Sequence, residues 1–263
     1  MADSSERQAR LARAWDDAAE GYDAYFVPRF APWVELAVAA IPADLPDGPI
    51  LVPCCGTFPE LDMLVERFPD RRIVGIDLSP GMIERARERA AGLPGVEAVV
   101  GDAATLDPHL AGKCGAVVSV FGLQQLPDPE HALRSWLDVL RPNGRLSIVF
   151  WPDVTETDGP FALLSDVVRA HLPADDETWE EALTSTLTEH DAILERDEFP
   201  AFPMTHRDAA AVFDACTLSG PLRTLLISRG EAFVHMLRAE FLRRAPAGEW
   251  RHRPRARLLL ARR

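Results

Sequence analysis

Lysine is almost missing from this chain. Lys113 is the only one, so a lysine Schiff-base mechanism has next to nothing to work with. Cysteine is sparse as well. Cys54, Cys55, Cys114 and Cys216 make no CxxC pair and no regular spacing, which predicts reduced thiols in an intracellular protein rather than a disulfide framework. The seven histidines are scattered, with no HxxxH and no Cys/His cluster, so no metal site is expected. No apolar run approaches the ~18–20 residues of a membrane span. The longest, Gly115–Leu123, has the length of a strand. The opening MADSSERQARLARAW is charged from the start and has no apolar h-region, so no secretory signal is expected and a cytoplasmic location is. Positive charge is short overall: 28 Lys and Arg stand against 41 Asp and Glu, a net charge of −13. Such a chain repels phosphate backbones and anionic lipid, which argues against a nucleic-acid or membrane-surface role and leaves small molecules as partners.

What is present is ordinary for a globular protein: 47% hydrophobic and 26% charged residues in 263. One elaborated domain is expected over residues 1–263. Helical spacing covers residues 6–26, with a possible break at Gly21, and again Pro32–Ala40. From Ile50 strands and helices alternate, which predicts an α/β fold with a parallel sheet. Strands are read at Ile50–Pro53, Arg72–Ile76, Val96–Val100, Ala116–Phe121 and Arg145–Trp151. Between them, Thr57–Phe68 reads as a helix opened by a Thr57/Glu60 capping box. Ser79 caps a helix with Pro80 at its first position. Glu130–Leu140 is a third, stopped by Arg141-Pro142-Asn143-Gly144. After Pro152 the alternation loosens. Phe161–His171, Glu177–Glu189, Arg207–Cys216 and Glu231–Arg244 look helical, Arg196–Met204 is a strand weakened by its prolines, and Arg255–Ala261 is a terminal strand.

Three strand ends carry the functional reading. The first strand runs into Cys54-Cys55-Gly56-Thr57-Phe58 and a helix start. The second ends at Asp77, 21 residues after Gly56, and the third at Asp102. In a doubly wound sheet, ligands sit at the carboxyl ends of the strands. A tight turn at Gly56 lets backbone approach a ligand, and free N–H groups of the following helix favour a negative group. An acid about 20 positions on suits a ribose diol, and Asp102 suits an adenine amino group or a loop N–H. Asp77 as a plain Asx turn is the competing reading. A dinucleotide and S-adenosylmethionine both fit this geometry. The dinucleotide wants G-x-G-x-x-G, and Phe58 and Pro59 stand where room and free N–H groups are needed.

ILVPCCGTF, VGIDLSPGMIERAR, VVGDAATLD, VSVFGLQQLPDPEHAL and LRPNGRLSIVFW follow one another over Ile50–Trp151. In these stretches the chain resembles the class I S-adenosylmethionine-dependent methyltransferases, in particular the small-molecule group that includes the ubiquinone and menaquinone biosynthesis enzymes. The resemblance implies a Rossmann-like, seven-stranded, mainly parallel sheet with helices on both faces and the last strand antiparallel. Residues 50–151 would be the cofactor core, 1–42 a helical lid, 152–254 an acceptor-pocket elaboration and 255–263 the terminal strand. It implies S-adenosyl-L-methionine as cofactor and methyl transfer to an O, N or C nucleophile of a small molecule.

The same resemblance assigns Cys54, Cys55 and Gly56 to the turn under the methionine moiety, and Asp77 to the ribose. Leu78 and Met82 follow on the same side, with Asp102 and Ala103 at the adenine. Phe121 would lie beside the reactive methyl and Tyr22 would close over the methionine end. Tyr25, Gln125 and Trp151 are acceptor-pocket candidates. Where the family has an acid and three glycines, this chain has Val52, Cys54, Gly56 and Phe58. Phe58 is expected to turn into the helix–sheet contact. Two other readings stay open: a repurposed fold that binds cofactor or a hydrophobic ligand without catalysis, and a nicotinamide-dependent oxidoreductase. Cys54 and Cys55 are expected as small apolar packers. The arginines at 243, 244, 251, 253, 255, 257, 262 and 263 are expected as a solvated face. His109, His171 and His252 are expected on the surface; His206 and His235 fall in the acceptor region without a visible partner.

Overall fold

The computed structural model describes residues 2–172, 179–218 and 220–263. In chain order these form α1 (Ala2–Tyr25), α2 (Val27–Ala40), β1 (Ile50–Pro53), α3 (Leu61–Arg67), β2 (Ile73–Asp77), α4 (Pro80–Ala90), β3 (Val96–Val100), β4 (Cys114–Val120), α5 (Pro129–Asp138) and β5 (Leu140–Phe150). Then come α6 (Pro160–Arg169), α7 (Trp179–Glu189), β6 (Ile193–Glu198), β7 (Met204–His206), α8 (Ala209–Cys216), α9 (Gly220–Arg229), α10 (Glu231–Arg244), β8 (Trp250–His252) and β9 (Arg257–Arg262). Two compact units result. One contains Met1–Arg29, Pro152–Glu177 and Ala201–Arg255; the other contains Phe30–Trp151, Thr178–Pro200 and Ala256–Arg263. Residues 30–42 and 178–200, which the sequence groups with the flanking regions, thus fall in the unit that holds the large sheet. No described helix is long and apolar enough to cross a membrane.

The sheet unit is built on seven strands in the order β3-β2-β1-β4-β5-β9-β6. Neighbours from β3 to β5 pair in parallel, while β9 is antiparallel to both β5 and β6. The inner strands are buried throughout: every residue of β1 and of β4 is inaccessible or nearly so. Such strands read in sequence as unbroken apolar runs. Leu133, Trp136 and Leu137 of α5 pack into the same core. The edges are polar. Arg72 pairs with Glu97 across β3's exposed side, and Arg196 with Glu198 on β6, which blunts edge-to-edge association. Strand order reverses between β1 and β4, so the carboxyl ends of β1, β2 and β4 converge on the switch point.

Several boundaries differ from the sequence reading. The capping box does not open α3. Thr57–Glu60 form turns, and the helix begins at Leu61 with Glu60 as an N-cap that makes no side-chain cap bond. Ser79 behaves as expected: its hydroxyl accepts from Met82 N at 3.1 Å, with Pro80 opening the helix. α5 ends at Asp138, before the expected stop, and Arg141–Gly144 lies inside β5, where the register against β4 shifts and Asn143 takes a positive φ of 66°. The strand read at Arg196–Met204 is two strands, β6 and β7, in different sheets. α9 and β8 are absent from the elements the sequence predicts. Glu177, read as a helix start, lies outside the described residues.

The other unit packs α1 with α6, α8, α9 and α10 around the two-stranded β7–β8 ladder. Phe213, Phe241 and Trp250 stack through it, with centroids 5.5 and 5.9 Å apart. α1 passes through Gly21 without a break. Gly21 is a close-approach position, not a hinge: a Cβ there would meet Leu218 Cδ1 at 2.4 Å. Most of the basic carboxyl-terminal stretch is spent on pairs, while Arg243 is exposed as expected. Arg244 meets Asp166, Arg251 meets Glu249, Arg257 meets Asp197 and Arg262 meets Glu195, while Arg253, Arg255 and Arg263 donate to backbone carbonyls.

Candidate active site

The loop after β1 keeps the backbone of a glycine-rich turn while using other residues. Cys54, Gly56 and Phe58 all have positive φ, at 56°, 52° and 67°. Only glycine takes this region without strain, and each other residue there costs roughly 1–2 kcal/mol. The two side chains are accommodated by glycines opposite them. A Cβ on Gly75 of β2 would lie 2.8 Å from the Phe58 ring, and one on Gly122 would lie 2.4 Å from Cys54 Cβ. Phe58 is fully buried, so its ring fills the helix–sheet contact as expected and leaves the ligand side of the loop alone. At Gly56 a Cβ would meet nothing nearer than Met82 Sδ at 3.9 Å, so backbone is presented to open space there.

Asp77 ties this loop to the next. One carboxylate oxygen accepts Gly56 N at 2.9 Å and the other accepts Ser79 N at 2.9 Å. The Asx turn set against ribose binding in the sequence is therefore formed. Two further loop donors are spent internally: Cys55 N on Ile76 O at 3.1 Å and Phe58 N on Cys55 O at 2.8 Å. With α3 starting only at Leu61, the helix N-terminus expected beside Gly56 is not there. A pyrophosphate would find few donors; a ligand recognised through hydroxyls and its own N–H groups fits better.

Asp102 is exposed and accepts Ala104 N at 2.8 Å in a second Asx turn. Ala103 beside it is held by Trp136, whose indole N–H donates to Ala103 O at 2.7 Å. Both Asp77 and Asp102 lie near Cys54. Burial first, then these two carboxylates, push its thiol well above the usual range. Burial and Asp77 do the same to Cys55, so both cysteines are inert apolar packers at neutral pH. Leu78 is half-buried between Asp77 and Ser79, and Met82 is buried beneath the loop.

The end of β4 is aromatic. Phe121 has φ 57° and stacks on Trp151 at 4.2 Å with rings 11° apart. Phe30 and Trp33 close the cluster, with centroids 4.6 and 5.9 Å from Phe121. Gln125 sits in the 3-10 turn that follows, its N–H bonded to Gly122 O. The neighbouring Gln124 is the more informative residue, and the sequence reading missed it. Its amide nitrogen donates to Phe121 O at 2.8 Å, and its buried Oε1 has no partner. A buried acceptor left open calls for a donor from a ligand or water. A second missed residue is Glu60. It is buried, its Oε2 is unpartnered, and burial raises its pKa to about 8. Tyr22 and Tyr25 belong to the other unit. There Tyr22 packs edge-on against Trp15 at 5.6 Å, and Tyr25 bonds His206.

An adenosine with a zwitterionic amino-acid tail fits the residues of the sheet unit. Asp77 stands at the end of β2, Gly56 offers open backbone, and Gln124 Oε1 awaits a donor. Comparison with known proteins agrees. Residues 50–144 match the family described as "Methyltransferase domain". The trans-aconitate 2-methyltransferase of Streptomyces coelicolor is 32% identical over 188 residues, covering 70% of this chain and 57% of that protein. The demethylmenaquinone methyltransferase of Listeria welshimeri is 34% identical over 103 residues, 38% of this chain and 43% of that one. This chain therefore spans only about half the length of these curated relatives. Among solved structures, the geranyl diphosphate C-methyltransferase from Streptomyces coelicolor, in complex with Mg2+, geranyl diphosphate and S-adenosyl-L-homocysteine, superposes with a TM-score of 0.58. It covers 97% of each chain at 14% identity, a likeness of fold alone.

Proposed function

With a core that is a class I S-adenosylmethionine-dependent methyltransferase domain as premise, we propose that this protein transfers the methyl group of S-adenosylmethionine to a small organic acceptor. The observation that carries the reading is the left-handed Cys54–Phe58 loop fastened to Asp77 at the switch point of the sheet. Asp77 would hold the ribose hydroxyls, Asp102 and Ala103 the adenine end, and the backbone around Cys55 and Gly56 the methionine end. Leu78 and Met82 would pack against the nucleoside, and Tyr22 is assigned to the methionine end on the resemblance alone. When bound, the cofactor supplies an activated methyl group. The protein's share is orientation and exclusion of water. Phe121 and Trp151 suit that task, because two stacked rings present an apolar wall that leaves no room for solvent. Trp151 and Gln125 would face the acceptor in this unit.

The first test is methyl transfer from labelled cofactor to a panel of carboxylic acids, quinols and prenyl compounds. Transfer to any of them supports the reading; cofactor binding without transfer to any would favour a binding protein. The cofactor site has its own test. Asp77→Ala removes the proposed ribose contacts and the acceptors of two loop N–H groups. S-adenosylhomocysteine affinity should fall by ~1.5–3 kcal/mol, the scale of hydrogen bonds to a charged group. Calorimetry on the folded variant checks this, and unchanged affinity removes Asp77 from the site.

A further inference from the structure

Four titratable side chains from distant parts of the sequence form one continuous hydrogen-bonded line in the unit that contains α1 and the β7–β8 ladder. The Tyr25 hydroxyl meets His206 Nδ1 at 2.7 Å, His206 Nε2 meets His252 Nε2 at 2.9 Å, and His252 Nδ1 meets Glu156 Oε2 at 2.6 Å. His206 is fully buried; the side chains of His252 and Glu156 are 2% and 5% exposed. Tyr25 is half-buried at the outer end. The expectations that His252 lies on the surface and that His206 has no partner are both corrected. β7 and β8 pair antiparallel with Met204 opposite His252, so His206 is a diagonal neighbour of His252 on the same face.

The partners fix the direction of every bond. The Glu156 carboxylate also accepts Phe161 N at 2.7 Å and Ala162 N at 3.3 Å on its other oxygen, so it acts as an acceptor. His252 must then carry its proton on Nδ1 and accept at Nε2. His206 must donate from Nε2 and accept at Nδ1, and Tyr25 must donate inward. The outward lone pair of the Tyr25 oxygen is left over. Burying three such groups is expensive where apolar residues would pack as well. A line of this kind, with one buried anion at its end and one half-exposed oxygen at its start, offers a path for a proton between the Tyr25 oxygen and the interior.

We propose that Tyr25, His206, His252 and Glu156 form a proton relay that makes the Tyr25 oxygen a general base toward the hydroxyl of a bound small molecule. In the step, the ligand O–H bond breaks and its electron pair stays on the ligand oxygen. The proton joins the Tyr25 oxygen as Tyr25's own proton passes to His206 Nδ1. The Nε2 proton of His206 passes to His252 Nε2, and His252 becomes an imidazolium paired with the Glu156 carboxylate. The charges balance: one negative charge appears on the ligand and one positive charge beside Glu156. After the ligand leaves, the reverse path returns the proton to water. Tyr25 is the contact residue, and the other three act through it.

The environment fits this order of events. Burial, followed by the charge of His252 and of Arg29, lowers the pKa of His206 to about 3, so His206 passes a proton without holding two. The Tyr25 ring lies under the Arg29 guanidinium at 3.9 Å. Burial still raises the phenol to about 12, with Cys216 and Asp208 raising it and Arg29 and Arg207 lowering it. Free phenolate is thus scarce, and Tyr25 is a base only while its own proton moves inward.

The relay makes a prediction that needs no acceptor and no cofactor. One proton added at His252 must reverse the tautomer of His206, because a single proton fits between the two Nε2 atoms. The full chain, labelled with 15N-histidine, should show at neutral pH a nitrogen–nitrogen coupling across one His–His hydrogen bond, with one ring protonated at Nε2 and its partner at Nδ1. On acidification the partner should become imidazolium. At the same midpoint the first ring should switch from Nε2–H to Nδ1–H while staying neutral. Tyr25→Phe removes the phenol that meets His206 Nδ1 in both states, so the 15N shift of that nitrogen should move at neutral pH and again on acidification. A His206 that keeps its Nε2 proton throughout, or is protonated first, overturns the relay. So does an Nδ1 shift unchanged by Tyr25→Phe. Failure of the wild-type chain to bind S-adenosylhomocysteine would count against the methyl-transfer reading and leave these signals untouched.

Discussion

The stability of this protein is expected to fall by roughly 3–5 kcal/mol between pH 5 and pH 8 relative to a Glu60→Gln variant. Burial raises Glu60 from 4.5 to about 8; its own backbone N–H and Arg89 of α4 pull the other way and do not offset it. Below the unfolded value near 4.5 both states hold the proton, and Glu60 adds no pH dependence. Between that value and about 8 the unfolded chain releases the proton while the folded chain keeps it. The folded state then binds more protons, so stability declines as pH rises. Glutamine has the shape of the protonated acid and nothing to ionise. Urea unfolding of both proteins across this range should therefore give curves that converge at low pH with the wild type falling away above it. Parallel curves would mean that Glu60 ionises freely in the fold.

Phe58→Gly is expected to cost about 2–4 kcal/mol while leaving S-adenosylhomocysteine affinity unchanged. The loss of a fully buried ring costs about 3–5 kcal/mol, and relief of a left-handed backbone at φ 67° returns part of it. Gly75→Ala should also destabilise, by roughly 1–3 kcal/mol, because its Cβ would press on the same ring and on Cys55 Sγ at 2.8 Å. Combined in one chain, the two changes should cost less than their sum, since the methyl enters the space the ring vacates. Thermal and denaturant melts of the four proteins measure that coupling. Strict additivity would show that the ring and Gly75 do not share the space. Tighter cofactor binding by Phe58→Gly would show that the ring obstructs the cleft.

The strand ends were legible in the sequence because β1, β2 and β4 are buried inner strands, which leave short apolar runs ending at Pro53, Asp77 and Val120. Gly56 and Asp77, 21 residues apart, follow from that frame, and so does the Ser79–Pro80 helix start. Less legible were features that depend on φ. Thr57 and Glu60 have the spacing of a capping box, but two left-handed residues precede Thr57 and a third, Phe58, lies between the pair, which delays α3 to Leu61. Arg141–Gly144 has the composition of a turn, yet it is strand, near the start of β5, where the register against β4 shifts. Least legible was what depends on chain crossing. Tyr25, Glu156, His206 and His252 share no local pattern, since β7 and β8 are joined through three helices and Glu156 comes from a loop before α6. Gln124 looked like Gln125; only the fold shows which of the two leaves an acceptor open.

The central claim is that the loop after β1 is built for the nucleoside of S-adenosylmethionine and not for a pyrophosphate. Calorimetric titration of the wild-type chain with S-adenosylhomocysteine, and in parallel with NAD, tests it most directly. The expected result is one site per chain for S-adenosylhomocysteine and no heat of binding for NAD. Binding of NAD with no binding of S-adenosylhomocysteine would contradict the account.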